Sequence, residues 1–130
     1  MRKLICWLSV DQHMRNLAEK GKRIESHVKQ ILLACRDSIC ANHPTATIVL
    51  YGSQARGQAA PESDMDLLVL LNENVTAEKK RIIRDMLYEI SLAQDLVIST
   101  IVRSNDAWNS PISQATPLYR TIQKEGIQVT

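Results

Sequence analysis

Two apolar runs, Ala46 to Tyr51 and Met65 to Leu71, constrain the fold of this chain more than any other feature. Each is short, aliphatic or β-branched, and bounded by turn-forming residues, which is the pattern of a strand buried on both faces. The polar link between them is short for the helical crossover that parallel neighbours require, so the two strands are expected side by side and antiparallel. A third run, Asp95 to Val102, is apolar apart from Asp95, Ser99 and Thr100. Strands of this kind need helices over the sheet.

The helices are legible by period. Leu17, Ile24, Val28, Ile31, Leu32, Cys35 and Ile39 recur mostly at three- and four-residue steps, predicting a helix from Gln12 to Ala41 that Gly21 softens and Asn42-His43-Pro44 ends. Thr76 is placed to cap a second helix to about Leu92, with a core stripe of Ile82, Ile83, Met86, Leu87 and Ile90. In that helix Asp85 lies among Lys80 and Arg84 and reads as surface. A loop with Trp108 and Pro111 leads to a last helix, Ser113 to Lys124, stopped by Gly126. The order is helix, strand, strand, helix, strand, helix: an α/β chain of α+β character, with a mixed sheet flanked by helices. One domain over 13–130 is expected, behind an N-terminal extension, 1–12.

Composition narrows the chemistry. A chain of 130 residues has room for one ordinary domain, and 45% hydrophobic residues suffice for a core. Aromatics are only 4%, with no Phe, which argues against base stacking on single-stranded nucleic acid. A net charge of +2 does not suggest a polyanion partner. Cys6, Cys35 and Cys40 lack metal-type spacing, and Cys35 and Cys40 read as small apolar groups in a helix. His13, His27 and His43 are dispersed and form no zinc-like pair. The apolar run Leu4 to Val10 is broken by Asp11-Gln12-His13 and has no small-residue cleavage site, and no segment reaches transmembrane length. A cytoplasmic protein off the membrane is expected. Trp7 and Trp108 read as packing anchors of the domain's own core, with an interface role as the alternative.

The candidate site has three parts. Gly52 leaves a strand where a tight turn beside a ligand calls for a residue without Cβ. Ser53 can cap a short turn through Gln54, Ala55 and Arg56, whose free N–H groups suit phosphate oxygens. An ordinary strand-to-helix turn explains the same dipeptide. Asp64 and Asp66, two apart in a strand, project to one side while Met65 enters the core. Their mutual repulsion at the head of an apolar strand is relieved by a hard divalent cation such as Mg²⁺, or simply by solvent if the strand end is exposed. Asp95 can bring a third carboxylate to the same sheet edge as a metal ligand or proton acceptor; capping the preceding turn is its bland alternative. Arg56 offers a fork of donors to a phosphate, or to Asp64 or Glu62. Glu62 and Ser63 read as turn residues.

Together these residues become specific. Tyr51-Gly52-Ser53-Gln-Ala-Arg56-Gly57, ten residues between Ser53 and Asp64, and then Asp64-x-Asp66-Leu-Leu-Val resemble the minimal nucleotidyltransferase family of the DNA polymerase β-like superfamily. Asp95 matches in position, and Pro117-Leu-Tyr-Arg…Lys-Glu-Gly126-Ile127 looks like that family's C-terminal helix and exit. The resemblance implies a polymerase β-like palm, with Gly52 and Ser53 on the triphosphate. Asp64, Asp66 and Asp95 would hold two Mg²⁺ ions, and AMP would move from ATP to an acceptor hydroxyl with release of pyrophosphate. Small members look like antitoxins that adenylylate a tyrosine of a HEPN ribonuclease toxin, so a partner protein is the expected acceptor. A nucleotidyltransferase for a small-molecule hydroxyl, such as an antibiotic, and a contact-only antitoxin module are the alternatives. A homodimer and a hetero-complex both fit.

Overall fold

The computed structural model describes residues 15–16, 24–57 and 64–129. In chain order its elements are β1 (Arg15–Asn16), α1 (Ser26–Asn42), β2 (Thr47–Tyr51), α2 (Ser53–Arg56), β3 (Met65–Leu71) and α3 (Ala77–Gln94). β4 (Ile98–Ser104), α4 (Asn105–Trp108), α5 (Pro111–Gln114), α6 (Pro117–Glu125) and β5 (Ile127–Val129) follow. The expected extension 1–12, with Cys6 and Trp7, and also His13, Leu17, Gly21, Glu62 and Ser63, lie outside the described residues.

The five strands form one sheet in the order β1-β5-β2-β3-β4. β2 and β3 pair antiparallel, with Tyr51 opposite Asp66 and Leu50 opposite Leu67, as the short link between the two runs requires. β3 and β4 pair in parallel from Met65↔Ile98 to Leu71↔Ser104, with α3 as the crossover. β5 closes on β2 antiparallel, and β1 adds to β5 in parallel. The sheet is mixed and flanked by helices, the α+β arrangement expected.

Alternation along the strands divides the core in two. Met65, Leu67, Val69 and Leu71 face one side with Ile48, Leu50, Ile127 and Val129, and α1 and α3 cover them with Ile31, Leu32, Cys35, Ile39, Ile83 and Leu87. Leu68, Leu70 and Val49 face the other side, against Trp108, Ile122 and Tyr119. Trp108 is therefore a core anchor of this second face, with its ring 5.0 Å from that of Tyr119.

Four local expectations need correction. A helix does not run through 12–41: Arg15–Asn16 forms β1, because its backbone is taken up by Ile127–Gln128 across the sheet, and α1 begins at Ser26. Asp95 does not open the third strand. Its N–H closes the last turn of α3 in the left-handed region at φ 51°, a conformation that Asp tolerates, and β4 starts only at Ile98. The last helix is two pieces, since Thr116 caps a fresh start whose first residue is Pro117. Ile82 lies outside the core stripe at 44% exposure. Thr76 caps α3 as expected, its hydroxyl accepting from the Lys79 N–H at 3.1 Å.

Candidate active site

The site is built where β2 ends and β3 begins, which antiparallel pairing makes the same edge of the sheet. Gly52 sits at φ 81°, in the left-handed region, and a Cβ placed on it would collide with the Asp66 carboxylate. The backbone conformation favours glycine there, and a side chain would also displace the Asp66 carboxylate from its position. The chain then turns through α2, whose cap position is Gly52 and not Ser53 as the sequence suggested, because the positive φ places the reversal one residue earlier. Ser53 is the first residue of the turn and is half-buried; Gln54 and Ala55 are buried beneath it. The Arg56 N–H closes the turn on the Gly52 carbonyl at 3.2 Å.

Asp64 is exposed just before β3, Met65 is fully buried, and Asp66 is half-buried. The two carboxylates stand on one side of the chain, as their two-residue spacing dictates. Asp66 faces the second side of the sheet, flanked in register by Tyr51 of β2 and Ser99 of β4. Burial pushes the Asp66 carboxyl above its ordinary value and the charge of Asp64 adds to this, while Arg56 pulls it back down. Tyr51 is likewise pushed up by burial and by the charge of Asp66. Among the described residues, no ion pair or side-chain hydrogen bond reaches Asp64 or Asp66. Two like charges thus share a partly desolvated edge without a cation of the described residues in contact, an arrangement whose chemistry suits a hard divalent ion.

Arg56 makes no ion pair with Asp64, one of the partners read from the sequence. Its Nη1 donates to Oε2 of Glu125 at 2.9 Å, tying the end of α2 to the end of α6. Asp95 is exposed in the turn before β4, at the sheet edge where β3 also begins. Among the described residues, no three His, Cys, Asp or Glu side chains are grouped to hold a metal ion. The structure therefore brings together Gly52, Asp64, Asp66 and Arg56, with Asp95 apart from them. Tyr51, Ser99 and Glu125 join the site without having been singled out. Strand alternation could have found Tyr51, but only the tertiary register finds Ser99 and Glu125.

Cys35 is a buried core thiol pushed up to about 12 by desolvation, as its helical position suggested. Asp85 is exposed and pairs with Arg81 at 3.1 Å. Among the described residues, no helix is long and apolar enough to cross a membrane.

Comparison with known proteins bears on the same segment. The sequence profile described as "Nucleotidyltransferase domain" matches residues 32–127. A Methanocaldococcus jannaschii protein, provisionally named a protein adenylyltransferase, is 40% identical over 55 residues, which are 42% of this chain and 56% of that protein. A bifunctional uridylyltransferase/uridylyl-removing enzyme of Rhodopseudomonas palustris is 32% identical over 84 residues, 60% of this chain and 9% of the enzyme. The enzyme of the same name from a Bradyrhizobium species is 30% identical over 86 residues, 62% of this chain and 9% of its own. The chain thus spans just over half of the first relative and less than a tenth of the other two.

Proposed function

Because the chain belongs to the nucleotidyltransferase domain family, we propose that it moves AMP from ATP to a hydroxyl, in the first instance a tyrosine, of a partner protein. The observation that carries this reading is the placement of Asp66 against Gly52, beside Asp64, at the edge where a tight helical turn leaves the sheet. The acceptor oxygen attacks the α-phosphorus, the bond from that phosphorus to the β-phosphate oxygen breaks, and pyrophosphate leaves. Gly52 lets the triphosphate approach the backbone, and Ser53 and the N–H groups of α2 orient it. Asp64 and Asp66 would hold Mg²⁺, with two ions in the full site. When bound, the metal offsets charge on the phosphate oxygens and lowers the pKa of the attacking hydroxyl. Asp95, at the same sheet edge though not grouped with the pair in this structure, is the candidate third carboxylate, as ligand or as acceptor of the hydroxyl proton once substrate is bound.

A protein acceptor is favoured by the name of the Methanocaldococcus jannaschii relative. The narrower assignment, an antitoxin silencing a HEPN ribonuclease toxin in the cytoplasm, extends this through the resemblance of the Gly52–Asp66 motif. The longer match to uridylyltransferases favours a second donor reading, UMP from UTP.

Incubation with Mg²⁺, the protein encoded beside this one, and either ATP or UTP tests these points by intact mass. An added adenylyl group is expected, and its loss in Asp64→Ala/Asp66→Ala by roughly a hundredfold or more in rate. A uridylyl adduct changes the donor; no adduct on the partner, with neutralisation retained by the double variant, replaces the enzyme reading with silencing by contact. Asp95→Asn is expected to slow transfer, and a rate equal to the parent's removes Asp95 from the site.

A further inference from the structure

A carboxylate pair with no cation in contact ordinarily attracts the nearest arginine, because a fork of N–H donors fits a carboxylate closely. Among the described residues, Arg56 is an arginine close enough to answer that pull. Its backbone closes the turn on Gly52, whose Cα lies against the Asp66 carboxylate, and its charge already bears on Asp66. Yet its guanidinium is turned to Glu125, 2.9 Å away. We propose that Glu125 is a positioning residue of this site: by holding Arg56 it keeps the guanidinium off Asp64 and Asp66 and leaves the pair open to a divalent metal ion. This rests on the reading of the pair as a metal-binding edge.

The position of Glu125 follows from topology. β5 pairs antiparallel with β2 through Leu50↔Ile127, and continuing that register by two residues carries Glu125 to the level of Gly52. The exit from α6 into β5 has no slack, since a Cβ on Gly126 would meet the Ile122 carbonyl and the Val49 side chain. Glu125 is thereby fixed beside the turn that carries Arg56. The ion pair is partly exposed, at 41% and 26% for the two side chains, so its worth to stability is small. Direction, not stability, is what it supplies.

The test is Mn²⁺ binding to the metal-depleted full chain without nucleotide, followed by the electron paramagnetic resonance of free Mn²⁺. Glu125→Ala is expected to weaken binding roughly threefold or more, the scale of one exposed ion pair. In an Arg56→Ala background the same substitution is expected to change nothing, because Glu125 acts only through Arg56. Glu125→Gln, which keeps an acceptor oxygen and the shape, is expected to fall between and guards against a folding defect in the alanine variant. Unchanged binding in Glu125→Ala overturns the inference alone. So does an equal loss in the Arg56→Ala background, which is what simple removal of a nearby negative charge produces. Absence of Mn²⁺ binding in the parent chain, or binding that survives Asp64→Ala/Asp66→Ala, overturns the metal-binding edge and the inference with it.

Discussion

Replacing one hydrogen of Gly52 by a methyl group, in Gly52→Ala, sets an L-residue at φ 81° and drives its Cβ into the Asp66 carboxylate. Backbone strain of this kind costs about 1–3 kcal/mol, so a lower denaturation midpoint is expected together with loss of nucleotidyl transfer. A variant of parental stability and rate contradicts the close approach. Asp66 itself trades stability for chemistry. Its carboxyl is raised above the ordinary value of 3.8, so the folded chain holds that proton at pH values where the unfolded chain has lost it. That contribution to stability is present at low pH and is lost as pH rises through the folded value. In metal-free buffer Asp66→Asn should therefore melt higher than the parent at pH 7, and the difference should shrink as pH falls through the folded value and level off below 3.8. A variant that melts lower at pH 7 contradicts the sign. Both carboxylates of the pair and Gly52 were legible in the sequence, because a two-residue alternation and a strand-ending glycine are local signals. Glu125 was not, since 69 positions separate it from Arg56 and only the β2–β5 pairing brings them together.

Among the elements, β3 was read with its boundaries intact and α3 with its cap, while β1, β5 and the breaks among α4, α5 and α6 were missed. The difference is where each element's reasons lie. β3 is a continuous apolar run and α3 has Thr76 at its head, so each states its own limits. β1 has two residues, and its pairing with β5 across the chain is invisible to any local window. Asp95 was misplaced for a related reason: an apolar run followed it, but the last turn of α3 claimed its N–H first. Thr76→Ala leaves the Lys79 N–H without its side-chain acceptor and should cost about 1 kcal/mol, read from denaturant unfolding with an unchanged slope. No loss of stability would mean that the hydroxyl is not a cap in solution.

For the whole molecule, the two faces of one sheet divide the labour. The face under α1 and α3 carries most of the aliphatic core, and the face under Trp108 and Ile122 ends at Asp66 with Tyr51 and Ser99 beside it. Met65 is fully buried in the core behind β3, and among the described residues no side-chain hydrogen bond reaches the carboxylates on either side of it. In the proposed in-line transfer of a nucleotidyl group, positioning and charge neutralisation supply most of the rate. In the proposed reaction this edge directs attack to the α-phosphorus, whose bond to the bridging oxygen breaks. That proposal is tested most directly with ATP labelled separately at the α- and γ-phosphates, supplied with Mg²⁺ and the partner protein. The α-label should appear on the partner and the γ-label in released pyrophosphate, and Asp66→Asn should lose both by roughly a hundredfold or more. Gamma-label on the partner, or parental labelling by Asp66→Asn, would contradict it.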